Sequence, residues 1–512
     1  MLLAIGVVDV FTFADSDLWG HIRFGQAILN AGHLIRYDPY SYSAPGHLWR
    51  NHEWLSEVIF ALAYNSAGVF GLELLKLFCS AAMILFLVLA LSETQSLGAI
   101  RAGVVMLTAP AISSQMMIRP QMFTFMLLAV LTWLLARDNY RRTSELWIAV
   151  PMMALWANFH GGFIAGLGAL GIYASVASMQ AILAGRDWRR AANLSLVAIG
   201  GVLATLINPY GIGGWYAVGH ALANPLTRTV INDWKPLTTA IAGLWKTYIP
   251  AAVIFVYAIS FLMALAVSIY LAPEGNDRAL IAIAVVYSLA ALVSMRNLPL
   301  AVIVTSVPFC RHLGLAWQAY VVKGGRAARR AAARENLGAP AAGQPTVFGR
   351  QYMSQLFATA VAILLLVEYL FTPALESIAP NPCGAVSFMK QHHLHGNVLS
   401  IYNWGEYLIW HLGPDSKVFI DGRYDTVYPA EVINDYFVLE EGAPGAARVL
   451  KGYKHEFAIA PPETNTWQVI SNSTDWKLIY RDDDAGLFAH RDFAIPGPTT
   501  PITGSAPPDI FP

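Results

Sequence analysis

Residues 15–57 read DSDLWGHIRFGQAILNAGHLIRYDPYSYSAPGHLWRNHEWLSE. Two acids, Asp15 and Asp17, open the stretch. In DLWGHIRFGQAIL the apolar residues recur at helical spacing, which predicts a helix lying along an interface. DPYSY and APG are turn signals. HEWLSEVIFALAY then starts a second amphipathic helix, and His21, Asp38, His52, Glu53 and Glu57 keep the whole stretch polar. On either side the chain turns apolar, with MLLAIGVVDVFTFA at 1–14 and a long run at 71–91. A polar loop of this length between two membrane runs predicts an all-α polytopic membrane bundle.

The composition agrees. Of 512 residues 56% are hydrophobic and 13% charged, with 33 basic against 33 acidic side chains. Mean hydropathy is +0.48, and an average soluble chain carries about 25% charged residues. Such a chain is not disordered, not a coiled coil, and not a nucleic-acid binder working through bulk positive charge. A soluble enzyme would need more charge to keep its surface wet. Cys79, Cys310 and Cys383 are too scattered for a disulfide frame or a zinc cluster.

A spanning helix needs about 20 mostly apolar residues. The runs are 71–91, 97–113, 121–136, 146–157, 161–183, 193–207, 247–272, 279–294, 298–313 and 353–371. Residues 1–14 lack the charged start and the cleavage site of a signal peptide and read as a first span. The total is about eleven transmembrane helices. Basic residues crowd alternate loops: Arg137, Arg141 and Arg142; Arg186, Arg189 and Arg190; Arg278; and six between Lys323 and Arg350. The positive-inside rule makes these loops cytoplasmic. The N-terminus is then inside and residues 372–512 are outside.

Charge rises after the last run: 24 charged residues fall in 380–495, against 41 in 1–379. NVLSIY, KVFIDGR and EFAIAP read as strands. WGEYLIWHL, AEVINDYFVLEEG and GAARVLKGY read as helices, and WKLIYRDDDAGLFAHR as a hairpin. The pattern predicts a small extracytoplasmic α/β domain at 372–495. Its most polar cluster, IDGRYD (Ile420–Asp425), reads as an acceptor-recognition loop or as a turn held by Asp421, Arg423 and Asp425. The proline-rich tail 496–512 reads as disordered.

The predicted outward ends carry IRPQ (118–121), NFHGG (158–162), NPYG (208–211), INDWKP (231–236) and MRN (295–297). Polar groups beside lipid are costly, and their gathering at one face predicts a polar chamber at the outer rim. Plainer readings exist. NPYG also reads as a helix stop, NFHGG as a close-packed helix end, and Arg119 and Arg296 as snorkelling side chains. Trp147, Trp156, Trp215 and Trp245 read as interface anchors. An Asp-x-Asp pair followed by aromatics and His-Glu is hard to explain as membrane anchoring.

DSD at the end of a first span, an amphipathic helix, a DPYSY turn and then NHEW resembles the GT-C superfamily of glycosyltransferases. RPQ, W-x-N-x-HG (156–161), NPYG and RN-x-P (296–299) are similar to a bacterial branch near the protein mannosyltransferase and aminoarabinose transferase group. The resemblance covers residues 1–320. It implies a GT-C-like transmembrane domain at 1–371, in a bacterial inner or plasma membrane. It implies transfer of a sugar from a polyprenyl-phosphate donor to a glycan, lipid or protein acceptor on the outer face. An essential acid of the family falls on Asp17 or Asp15. Some members carry a lysine in a KPP turn near the donor phosphate; this chain has Asn51, His52 and Glu53 there.

A glycosyl phosphate is already activated. The enzyme must take the proton of an acceptor hydroxyl as it attacks the anomeric carbon, a task for a carboxylate, here Asp17 or Asp15. A single displacement inverts the anomeric configuration. The leaving phosphate gains charge, and the planar fork of arginine suits it. Arg119 and Arg296 are the candidates, with Lys235 third. His52, Glu53, His160, Asn158 and Asn297 are candidates for orienting the base or binding sugar. Trp19, Trp49 and Trp54 offer stacking faces. Some relatives use a divalent cation, Mg or Mn, and Asp15 and Asp17 would hold it. A lipid-linked glycan transporter or flippase would instead want charge pairs within spans and an internal repeat, and neither is evident in the sequence. A non-catalytic assembly protein would not need the acid pair.

Overall fold

The computed structural model describes residues 1–9, 13–113, 115–185, 187–223, 266, 270, 277–335, 375–377, 380–493, 502–504 and 509–511. Lys235, the 353–371 run and nearly all of 247–272 lie outside the described residues.

Among the described residues eleven helices build the first part: α1 (Leu2–Asp9), α2 (Leu18–Ala31), α3 (Trp54–Ser92), α4 (Gly98–Ser113), α5 (Gln121–Arg141), α6 (Ala149–Phe159), α7 (Phe163–Gly185), α8 (Trp188–Ala204), α9 (Ile212–Ala223), α10 (Arg278–Val293) and α11 (Leu298–Glu335). The two helices expected in the outer loop are α2 and the start of α3. Helix α3 breaks at Ala67–Gly68, where Gly68 takes φ +60°, a conformation open to glycine at little cost. The break separates the amphipathic piece lying on α2 from the apolar piece after it.

The expected eleven spans are not reproduced among the described residues. Trp54–Ser92, Gln121–Arg141, Phe163–Gly185 and Met295–Gln318 are long and apolar enough to cross a membrane, and Gly98–Ser113 and Arg278–Val293 are shorter apolar helices. Hydropathy runs mark apolar stretches, but capping and kinking set helix length. Helix α6 stops at His160, which is extended at φ −164°. The sequence also hid charge pairs inside the bundle. Buried Lys76 lies 3.6 Å from Asp9, and Asp138 takes Arg190 at 2.7 Å. Each pair joins residues far apart in the chain, so no local pattern shows it.

The C-terminal part holds α12 (Cys383–Gln391), α13 (Gly405–Leu412), α14 (Ala430–Glu440), α15 (Ala446–Gly452) and α16 (Asn465–Ser471). Its strands are β1 (Leu375–Glu376), β2 (Asn397–Ser400), β3 (Lys417–Val418), β4 (Phe457–Ala460), β5 (Trp476–Arg481), β6 (Gly486–His490), β7 (Ile502–Thr503) and β8 (Ile510–Phe511). Six form one sheet in the order β3-β2-β4-β6-β5-β7. Strand β2 runs parallel to β3 and β4, and β5 and β6 form the expected hairpin. Strand β4, FAIA, is buried throughout, as a strand covered on both faces should be. The tail expected to be disordered contributes two strands: β7 pairs with β5 and β8 with β1. Burial explains β8, since Phe511 is enclosed by Trp19, Tyr64 and Trp410, while β7 is exposed and held by its pairing with β5.

The outer loop seats this sheet. Tyr42 N–H donates to Val418 O (3.1 Å) and Val418 N–H to Tyr40 O (3.1 Å), so the DPYSY turn covers the edge of β3. Arg423 clips the junction. Its Nη1 donates to Asp38 Oδ1 (2.7 Å), while Nε and Nη2 donate to Asp421 (2.8 and 2.6 Å). The guanidinium lies 4.9–5.2 Å from the rings of Trp49, Tyr40 and Phe24, within cation–π range.

Breaking a buried ion pair by removing one partner costs about 3–5 kcal/mol. Arg423→Ala should therefore lower the melting temperature in detergent and open the C-terminal region to limited proteolysis. Arg423→Lys, which keeps the charge but loses the fork, should fall between. An unchanged melting curve and digestion pattern for Arg423→Ala would show that the clip does not hold the sheet.

Candidate active site

The ends of α5, α6, α10 and α11 converge with the outer loop on a cavity of about 640 Å³, closed from the other side by the C-terminal part. The turn before α5 supplies Arg119, the α6 C-cap His160, the turn between α10 and α11 Arg296 and Asn297, and the α3 N-cap Glu53. From the opposite wall come Tyr402, Glu406, Gly422, Asp425 and Glu440.

The acid pair is split by its surroundings. Asp15 is buried and does not line the cavity; its carboxylate is in an ion pair with Arg119 and accepts the Asp17 N–H at 3.0 Å. Asp17 stands at the N-cap of α2, lines the cavity, and keeps its carboxylate 3.6 Å from Arg119. Burial, reinforced by Asp15, pushes the Asp17 carboxyl up to about 6, although Arg119 pulls it down.

His160 Nδ1 accepts the Gly162 N–H (3.0 Å) and meets Thr124 Oγ1 at 2.9 Å. That oxygen accepts the Trp156 indole N–H at 3.0 Å, leaving its own proton for the imidazole. With Nδ1 accepting, the ring proton of a neutral His160 belongs on Nε2, which faces Glu53 at 3.5 Å. Burial holds His160 down to about 3, and Arg296, 3.3 Å from Nε2, favours the same neutral form. Burial would raise the Glu53 carboxyl, but His52 (3.7 Å away), His160, His21 and Arg296 bring it below the ordinary carboxylate range.

Several sequence candidates lie elsewhere. Trp19 is buried against Tyr407, Trp410, His411 and Phe511 and offers no face to a sugar. Trp54 and Asn158 do not line the cavity. The Trp54 indole donates to Asn158 Oδ1 (3.0 Å), and Asn158 Nδ2 donates to the carbonyls of Ala154 and Ile207 (2.8 Å each), so the pair staples α3 to α6. Trp49 lines the cavity but is buried against Arg423. Trp156 is a core residue and not an interface anchor. NPYG is a turn closed by Asn208, whose Nδ2 donates to Thr205 and Gly211 carbonyls. Its Tyr210 meets Arg36 of the outer loop at 5.5 Å.

The sequence reading missed Glu406. It is buried, and its Oε2 accepts the Gly20 N–H at 3.1 Å. A Cβ on Gly20 would sit 2.0 Å from that oxygen, and one on Gly422 would sit 2.6 Å from Glu406 Oε1 and 2.8 Å from Asp17 Oδ1. Two glycines on separate elements thus let the carboxyl in beside Asp17. Burial, with Asp17 and Asp421 nearby, holds it well above the ordinary range. Its only signal in the sequence is a lone acid in the apolar helix GEYLIWHL.

Asp15 and Asp17, the expected holders of a divalent cation, both lie against Arg119.

No family model and no curated protein matches the sequence. Solved structures do match in fold. The oligosaccharyltransferase of Archaeoglobus fulgidus, tethered to an acceptor peptide, aligns with 90% of this chain and 68% of its own at 14% identity, with a TM-score of 0.54. The mycobacterial arabinofuranosyltransferase AftD aligns with 95% of this chain and 40% of its own at 14% identity and a TM-score of 0.50. ArnT of Cupriavidus metallidurans aligns over 95% and 96% at 12% identity and a TM-score of 0.49. The chain therefore has the fold of the GT-C membrane glycosyltransferases.

Asp17 binds its proton more tightly folded than unfolded, because its value rises from near 4 to about 6. The stability that this proton contributes is complete below the unfolded value and is lost as pH rises through about 6. Asp17→Asn should therefore melt higher than the wild type at pH 7.5, and the gap should close toward pH 4. A gap independent of pH would mean that Asp17 titrates normally.

Proposed function

We propose that this protein is a membrane glycosyltransferase that moves a sugar from a polyprenyl-phosphate donor to an acceptor hydroxyl by one inverting displacement. The observation that carries this reading is the division of the acid pair: Asp15 is tied to Arg119 behind the wall, and Asp17 presents its carboxylate in the cavity. In this reading Asp17 removes the acceptor proton as its oxygen attacks the anomeric carbon. Arg119 orients Asp17, and Arg296 with Asn297 receives the leaving phosphate. His160, neutral between Glu53 and Arg296, and His52 bind sugar hydroxyls. The positive charge between the two aspartates is that of Arg119.

The structural neighbours support the reading through their fold, and one of them is held to an acceptor peptide. We further propose about eleven spans, with the cavity and the C-terminal part on the outer face of a bacterial inner or plasma membrane. The basic clusters support this orientation, because Arg137, Arg141, Arg189, Arg190 and Arg278 lie at the helix ends away from the cavity motifs.

The kinetic test uses a polyprenyl-phosphate sugar in proteoliposomes. Asp17→Asn should lose about 10²–10⁴-fold in kcat, Asp15→Asn less, and chelation with EDTA should leave the wild-type rate unchanged. The wild-type rate should fall as pH drops below about 6, where Asp17 takes up its proton. Transfer at a normal rate by the double variant Asp15→Asn, Asp17→Asn would end this mechanism.

Orientation is checked separately. A reporter active only outside the cytoplasm should work when fused at residue 380 and stay silent when fused within 324–345. The opposite pattern would turn the cavity toward the cytoplasm and remove the outer-face reading.

A further inference from the structure

The N-terminus of α2 carries an exchange of roles. Asp17 occupies the N-cap position, yet its side chain makes no capping hydrogen bond. An N-cap aspartate ordinarily accepts the N–H of the second or third helical residue. Here the third is Gly20, and its N–H goes to Glu406 Oε2 at 3.1 Å, from a helix 386 residues further along the chain. The room for Glu406 is made on both sides, since any side chain at Gly20 or at Gly422 would collide with its carboxyl. The carboxyl is buried among other acids, and Arg423 spends its hydrogen bonds on Asp38, Asp421 and Tyr428. A buried carboxyl in such company keeps its proton, and its second oxygen still accepts the Gly20 N–H.

We infer that Glu406 is a positioning residue for Asp17: by capping α2 from the C-terminal part, it releases the Asp17 carboxylate from the cap and leaves it directed into the cavity. The inference rests on Asp17 being the base for its effect on rate, but the capping exchange itself does not. Without Glu406 the Gly20 N–H would lose this acceptor, and on this inference the Asp17 carboxylate would be drawn toward the helix end and away from the cavity. The C-terminal part thereby becomes a condition for activity, since the cap arrives only when that part is seated.

Four variants decide the matter: Glu406→Ala, Glu406→Gln, Asp17→Ala and the Asp17→Ala, Glu406→Ala double. Capping preference corresponds to about a 5–30-fold shift in equilibrium. Glu406→Ala should lose kcat by about that factor, with KM for the polyprenyl-phosphate sugar little changed. Glu406→Gln keeps an oxygen for the Gly20 N–H and should restore most of the rate. On the Asp17→Ala background, Glu406→Ala should cost no further rate. Amide exchange at Gly20, followed by mass spectrometry, should stay slow in each single alanine variant and become fast only in the double. A normal kcat in Glu406→Ala would overturn the inference. So would equal losses in Glu406→Ala and Glu406→Gln, or fast Gly20 exchange in Glu406→Ala alone. A normal rate in Asp17→Ala would sink the base assignment instead, and the exchange measurement would still decide the cap.

Discussion

A guanidinium buried between two carboxylates sets the geometry on which the site depends. Arg423 reaches Asp421 two residues before it and Asp38 at the far end of the chain. Asp38 is itself committed, because its two oxygens accept the N–H groups of Tyr40 and Ser41 and close the DPYSY turn. The turn therefore offers one remaining direction for a donor, and the planar fork of arginine takes it. Ion triads of this kind contribute little net stability, and their best-attested use is to fix one arrangement among many. Here the arrangement fixed is the position of Gly422 and Glu406 relative to Asp17, since Gly422 is the residue before Arg423 and its lack of a Cβ leaves room for both carboxyls.

Both walls of the cavity carry both signs. The bundle side holds Arg119, Arg296, His52 and His160 with Glu53 and Glu57, and the C-terminal side holds Glu406, Asp425 and Glu440 with Arg423 and three tyrosines. Asp17 lies where the two walls meet, and its burial there, with Asp15 beside it, raises its carboxyl despite an arginine at 3.6 Å. In the proposed reaction the donor phosphate would lie against Arg296 on the bundle wall.

The periodic parts of this fold were legible in the sequence, because hydropathy period and turn residues act locally. The outer-loop helices, the strands NVLS and FAIA and the closing hairpin all appear where the pattern puts them. The convergence of IRPQ, NFHGG and MRN on one cavity was legible too, as polar ends collected on one face. The rest depends on partners distant in sequence. Trp19 has the composition of a sugar platform, and only Phe511 and Tyr407 show it to be core. Asn158 looks like a binding residue until the Trp54 indole claims it. Glu406 had no motif, since its meaning comes from two glycines on other elements.

The same distinction accounts for the Asp-x-Asp spacing. On a continuous helix, residues two apart point about 200° from one another, so both could not serve one substrate. The chain meets this limit by ending the pair at a helix start: Asp15 lies before α2 and Asp17 at its cap. Asp15 holds the loop by accepting the Asp17 N–H and pairing with Arg119. Arg119 is thereby committed to the acids, and in the proposed mechanism Arg296 takes the phosphate in its place. Arg119 fixes where the acid pair sits, and in the inferred arrangement Glu406, reaching in from the C-terminal part, sets which way the second carboxylate turns.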